Sequence, residues 1–516
     1  MQLHSYIVEM SCKYRMRKFY SRGSYLVLAW TLFVSATAIA SLNLTYILFT
    51  GYPDWLVTTT LALFLPIIFC LGFLANYKLQ DYTIARIGII AMFLVTMVFS
   101  IYVLILGPGL EYGFGKYSLI NEVVLCIMLC VFLVALTCLT CVLQLGLDQM
   151  PDASSSSITS FIAWFVFSIS ADSWVGDFGQ YMVLKGNCFG LIVDSISSIQ
   201  LYSLYPALFA SFILVLNLLF AKSWLIIEPN PPKSFKIIYQ VLKFAAKHKA
   251  PLNRSALTYW EEDIPSRMDL GKSRYGGPFT TEQVEDVKSI LRMFAMSLPL
   301  WLILFALAFN PDNVVPLTFP NLTNCTSDML FSFTYSNYLW SMIGTLVNEF
   351  VFYPLFRDRF PSILKRIGIA SFLSLVLSIV FIIVQSLEVL HKKEVITILS
   401  LMMNGLLGNL FFCAMLELVC AQAPYNMRRL FAACMSLNFL SSTYAGIYVS
   451  GVIHSKNNKI LVLILFGIKA ALSLLGFILY CLLARWYKRR VRDEHYHVQT
   501  VVEEVYDRYL TTRNLD

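Results

Sequence analysis

The sequence predicts an all-α polytopic membrane protein whose twelve transmembrane helices form two bundles of six. Three observations lead there. Apolar types make up 58% of the 516 residues and charged types only 14%, where soluble domains carry about 25% charge. A helix needs about 20 mainly apolar residues to cross a bilayer, and twelve such stretches run along the chain. The polar segment 227–285 divides them six and six. This composition excludes a soluble enzyme, a disordered scaffold and a fibrous protein.

The first six stretches fall near 24–50, 55–75, 84–107, 118–145, 157–182 and 199–224. The second six fall near 286–309, 336–356, 364–390, 394–420, 429–454 and 459–485. The fifth is interrupted by Asp172, Gly176, Asp177 and Gly179. The expected domains are an N-terminal segment (1–22), a bundle (23–226), a linker (227–285), a second bundle (286–486) and a tail (487–516). In the linker, 233–250 has apolar residues at helical spacing and a basic face. It reads either as an amphipathic helix on the inner leaflet or as a plain solvated helix. The stretch 280–291 opens with Thr280 and places acids in its first turn, a helix start leading into the seventh span.

Basic residues set the orientation. Lys233, Lys236, Lys243, Lys247, Lys249, Arg254, Arg267, Lys272 and Arg274 crowd the linker, and Arg357, Arg359, Lys365 and Arg366 the turn after the eighth span. Arg485, Lys488, Arg489, Arg490 and Arg492 follow the last span. All fall on one side, so both termini are expected to be cytoplasmic, in a plasma or endomembrane protein. The formal charge of +8 fits this bias and gives no nucleic-acid footprint. The sequons at Asn321 and Asn324 then lie outside, where glycosylation can occur, while that at Asn253 lies inside.

The cysteines mostly sit within apolar runs and show no metal-ligand spacing. A Cys188–Cys325 bridge stays open if both face the outside. No cofactor is expected. Neither HExxH nor GxSxG occurs, so a membrane-embedded enzyme is disfavoured.

Six helices, a polar linker and six more is the layout of a major facilitator transporter, and the count alone also fits a channel or a lipid enzyme. Local strings narrow this. LGFLANYKLQDYTI (71–84) resembles the loop after helix two in the proton-coupled oligopeptide transporter family, with Asn76 in place of that family's Asp and Gln80–Asp81 in place of Gly–Arg. LGLDQ (145–149) with SFIAWFVFSIS (160–170), EQVEDVKSILR (282–292) and LELVCAQAPYNMRRL (416–430) are similar to further family strings, in order and at the right spacing. FVFYPLFRDRFPSILKRIGI (350–369) resembles animal members. The chain therefore resembles a divergent, animal-type member.

The resemblance implies proton-driven import of small peptides or other small solutes by alternating access. The residues the family uses are largely replaced. No Asp, Glu, Lys, Arg or His lies between Ser24 and Pro53, where the family has E-x-x-E-R. The helix-four lysine position falls near Leu139, and the helix-ten acid falls near Gly408–Asn409. No histidine sits at a helix centre. Proton drive and peptide specificity thus stay open.

Candidate cavity residues are Ser35, Thr37, Asn43, Asp172, Tyr338, Asn348, Asn404 and Asn409. Asp172 reads either as a titrating or cation-binding acid or as a wet helix end. Such a lining suits a neutral or weakly polar solute better than a zwitterion. Candidate gate or coupling residues are Asn76, Asp81, Asp148, Gln149, Glu349, Glu417 and Arg428. Glu349 and Glu417 match acids of the family and read either as gate residues paired with cations such as Arg292, Arg357 or Arg428 or as substrate-binding acids. Lys469 either snorkels or pairs with an acid. The expected partners are a small solute, protons being an open second cargo, and the bilayer, with the chain a monomer. The competing expectation is a non-transporting sensor or scaffold that uses the linker and tail.

Overall fold

The computed structural model describes residues 23–33, 81–110, 142–150, 155–184, 205–225, 234–248, 266–308, 337–352, 361–386, 393–423 and 459–487, with single residues 355, 431, 435 and 442. They form α1 (Gly23–Phe33), α2 (Asp81–Leu110), α3 (Val142–Asp148), α4 (Ser155–Leu184), α5 (Tyr205–Trp224), α6 (Ser234–Lys247) and α7 (Thr281–Ala308). Then follow α8 (Asn337–Val347) with a π-helical extension (Asn348–Phe352), α9 (Ile363–Ser386), α10 (Lys393–Gln422) and α11 (Lys459–Trp486). No strand occurs among the described residues. The span expected at 55–75 and most of those at 24–50, 118–145 and 429–454 lie outside the described residues.

Four described segments, Thr281–Leu307, Ile363–Val380, Met402–Gln422 and Gly467–Trp486, are long and apolar enough to cross a membrane. The outer helices turn large apolar side chains outward: Phe209 is 67% exposed and Leu219 73% on α5, and Leu482 58% on α11. Apolar surface on this scale is stable only against lipid.

The same pairing recurs in each half of the chain. α2 packs on α5, where the Thr96 and Ser211 hydroxyls lie 3.1 Å apart. α9 packs on α11, where the Ser378 and Ser473 hydroxyls lie 3.4 Å apart. These are the expected third with sixth and ninth with twelfth spans. Small hydroxyl residues let the backbones approach while each hydroxyl finds a partner in an apolar medium.

Two apolar cores result. One gathers Val27 and Trp30 of α1, Leu143 and Leu145 of α3, Phe161 and Ile162 of α4 and Leu214 of α5. The other gathers Met293, Met296 and Leu300 of α7, Ile367 of α9, Phe411 and Met415 of α10 and Tyr480 of α11. Gly146 is required by the first core: an added Cβ would fall 2.4 Å from the Phe161 ring and 2.9 Å from Val27. Pro299 lies within α7. Proline is tolerated in membrane helices because neighbouring groups take up the freed backbone bonds.

α6 is amphipathic as expected, but its apolar face is spent on protein contacts. Val241 packs against Val284 and Val287 of α7, with Ile237, Ile238, Met268 and Phe279 around them. Part of the apolar face that the sequence shows thus meets protein.

The linker's last turn is tied to the same place. The Thr280 amide donates to Gln283 Oε1 (3.2 Å) and the Gln283 amide donates to Thr280 Oγ1 (3.3 Å), a reciprocal cap on α7. Lys272 Nζ lies 2.7 Å from both Asp269 and Glu285, and Lys288 Nζ lies 2.5 Å from Asp269. Burial alone would raise the Asp269 pKa, but hydrogen bonds from Lys272, Lys288 and Ser266 outweigh it and hold the carboxyl well below its usual range. Burial would likewise lower the Lys272 pKa, yet its bonds to Asp269 and Glu285 raise it. Gly276 adopts φ 81° to close the turn, and an added Cβ on Gly277 would fall 2.2 Å from the Gly271 backbone.

Candidate functional site: a polar seam between the halves

α4 lies in the N-terminal half of the chain, and α8, α9 and α10 in the C-terminal half. α4 packs on α8 and α10, and polar side chains join them. Ser160 Oγ donates to Glu349 Oε2 at 2.9 Å. Thr159 Oγ1 donates to Glu417 Oε1 at 3.0 Å. The hydroxyls of Ser170 and Ser341 lie 2.9 Å apart. As the α4 numbers rise, the α8 numbers fall, so the two helices run antiparallel. Ser160 and Ser170 are separated by about 15 Å along the helix axis, so the seam follows about half of the roughly 30 Å hydrocarbon thickness. Trp164 of α4 meets Phe350 edge-on within it, ring centroids 6.3 Å apart.

Among the described residues, the charged end of the seam holds Glu349, Glu417 and Arg366. Arg366 Nη2 lies 2.6 Å from Glu417 Oε2, with side chains 7% and 13% exposed. One Glu417 oxygen thus faces its own half and the other faces α4. Glu349 is buried in the π segment. The segment shifts the register by one residue where α8 meets α4. π turns of this kind often occur at functional sites.

Among the described residues the cation paired with Glu417 is Arg366. The reason is local: Arg366 lies one turn into α9, beside the end of α10, so the hairpin brings the pair together. Arg357 and Arg428 lie outside the described residues. Sequence reasoning also missed Thr159, Ser160, Ser170 and Ser341. Isolated Ser and Thr in apolar helices carry no signal of their own.

The other candidates scatter. Asp148 and Gln149 are buried at the end of α3. Gln144 Nε2 donates to Asp148 Oδ1 at 2.5 Å and Gln149 Nε2 to the Leu145 carbonyl at 3.2 Å. The Gln149 side chain also closes on Gly23, where an added Cβ would fall 2.5 Å from its Oε1. This pins α1 to α3 within one half. Asn409 Nδ2 donates to Thr345 Oγ1 at 2.9 Å and Cys413 Sγ to Asn409 Oδ1 at 3.1 Å, which ties α10 to α8. Asn404 lies on α10 with its Nδ2 buried and without a hydrogen-bond partner. Asn348 is half-buried in the π segment and Tyr338 is exposed at the start of α8. Asp172 lies on α4 and Asp81 opens α2. Lys469 is buried on α11. Ser35, Thr37, Asn43, Asn76, Asn321, Asn324 and Arg428 lie outside the described residues.

No protein-family model matches the chain. Solved structures do. An auto-inhibited peptide transporter of the POT family superposes with TM-score 0.59 at 15% identity, covering 91% of this chain and 98% of that one. The POT family transporter PepTSo gives TM-score 0.57 at 17% identity over 91% and 98%. The fold is that of the major facilitator transporters. The human organic anion transporter MFSD10 (TETRAN) shares it, with TM-score 0.53 at 12% identity over 89% and 99%. The seam of α4 with α8 and α10 joins the N-terminal and C-terminal halves of the chain.

Proposed function

We propose that this protein is a secondary transporter that moves a small organic solute by alternating access, and that the seam is its latch on the linker side. The observation that carries this is the set of three hydroxyl bridges from α4 to Glu417, Glu349 and Ser341 across the halves. Single hydroxyl bonds are each worth about 1 kcal/mol net. They can be exchanged for water at modest cost, as a rocking mechanism needs.

The solute is a neutral or weakly polar molecule. α10 presents Gly408 and Asn409 near the position where oligopeptide transporters carry the acid that holds a peptide amine. The Asn404 amide adds an unsatisfied donor on the same helix, suited to a carbonyl or hydroxyl acceptor. If transport is proton-coupled, Glu349 is the group placed to change protonation as the seam opens, because opening exchanges the Ser160 bond for water.

The test is counterflow and pH-driven accumulation in proteoliposomes with a panel of neutral, zwitterionic and anionic solutes. The expected result is counterflow of a neutral polar solute. Glu349→Gln is expected to keep counterflow and lose the response to a pH gradient. Counterflow with no solute in the panel refutes transport. Accumulation that ignores the gradient in the unaltered protein refutes proton coupling alone.

A further inference from the structure

The exposed face of α6 is not used by the seam, and its chemistry is specific. Lys236, Lys243 and Lys247 are all exposed and lie within about 40° of one another around the helix. Among the described residues none of the three makes an ion pair. Tyr239, 64% exposed, flanks them with the Lys243 ammonium 5.6 Å above its ring centroid. The opposite face is sealed by Val241 against Val284 and Val287. The lysines are therefore held outward on a fixed support.

The support sits at a definable depth. α7 has 28 residues, about 42 Å at 1.5 Å per residue, against roughly 30 Å of hydrocarbon. Glu282, Glu285, Asp286 and Lys288 crowd its first eight residues, Thr281–Lys288, and only Arg292 is charged in the remaining twenty. Those eight residues account for the excess length, so Val284 and Val287 stand at headgroup level and α6 lies there with them. Exposed Trp486, beside Arg485 at the end of α11, marks the same level, as aromatic residues do at membrane interfaces. Tyr487 joins the second apolar core, against which Ile238 of α6 also packs.

We infer that the Lys236–Lys243–Lys247 face of α6 binds the headgroups of anionic phospholipids in the leaflet on the linker's side. Attraction is by charge, since Val241, Ile237 and Ile238 of the apolar face pack on protein and leave Leu242 as its exposed edge. Basic side chains at this depth favour anionic lipid and lose that preference in salt. The proposal rests on the chain being embedded in a bilayer and not on its carrying a solute.

The test places p-benzoylphenylalanine at exposed Gln240 of the full chain, in nanodiscs of equal phosphatidylcholine and phosphatidylglycerol. Ultraviolet cross-linking is followed by mass analysis of the lipid adduct. The expected result is a phosphatidylglycerol preference of at least about fivefold, the worth of one headgroup-level lysine. The preference should vanish in Lys236→Gln/Lys243→Gln/Lys247→Gln and fall in about 0.5 M salt. The salt arm needs no variant, so misfolding cannot mimic success. Equal adducts of both lipids, or no lipid adduct, overturn the proposal. Transport activity enters neither readout.

Discussion

Replacing Glu417 with glutamine removes the charge opposite Arg366 and keeps an oxygen for Thr159 to bond. The two partners are 7% and 13% exposed and 2.6 Å apart, so the guanidinium is left in a site that water barely reaches. Removing one member of a buried pair costs about 3–5 kcal/mol, most of it the stranded partner. Here the exposed fraction and the retained Thr159 bond place the expected loss at the low end, about 3 kcal/mol. Arg366→Met should cost a similar amount by stranding Glu417. The double variant Arg366→Met/Glu417→Gln strands neither charge and should be less damaged than the sum of the singles by about 2 kcal/mol or more. The assay is reversible unfolding in mixed micelles, read by helical circular dichroism, around the full cycle. If the two singles add to within about 0.5 kcal/mol, the pair is not coupled and the charged end of the seam is misread.

Other outcomes follow from the geometry. Ser160→Ala should cost about 1–3 kcal/mol, because the buried Glu349 oxygen loses a donor. It should also raise labelling of a cysteine introduced at Thr159 from the linker side. Gly146→Ala should lower thermal stability by about 1–3 kcal/mol through overpacking, since the new methyl meets Phe161 and Val27. Gly277→Ala should abolish hydrogen-exchange protection of the Phe279 amide, which donates to the Gly271 carbonyl, because both clashing groups are backbone. The linker network should be insensitive to pH between about 4 and 10. Asp269, with its lowered pKa, contributes above its unfolded pKa and loses that only as acid titrates it in the fold; Lys272, with its raised pKa, contributes below its unfolded pKa and loses that only above it. Exchange protection of residues 271–279 measured across that range should stay flat and fall in stronger acid.

The membrane class, the linker and the start of α7 were legible because each has a dense local signal. Apolar runs of fixed length mark helices. Thr280 followed by acids marks a helix start within a few residues. The basic face of α6 was legible too, but the destination of its apolar face was not. That face is complementary to Val284 and Val287, some forty residues on, and periodicity cannot say whether an apolar stripe meets lipid or protein. The seam was half legible. Glu349 and Glu417 stand out because acids in apolar helices are costly. Their partners do not, because Ser160 and Thr159 lie 189 and 258 residues from them in sequence. Arg366 was visible as one of four cations in a turn, all equally suited to orienting the chain, and only the α9–α10 packing selects it.

The five-residue π stretch at Asn348–Phe352 bears on how such chains are aligned with one another. One surplus residue there advances everything beyond it by about 100° around the axis. A relative whose eighth span winds without that surplus would aim an acid of the same ordinal position away from the opposing half. Matching the two spans without a gap would equate side chains that face different neighbours. The insertion, more than the presence of a glutamate, is what decides whether the acid reaches Ser160.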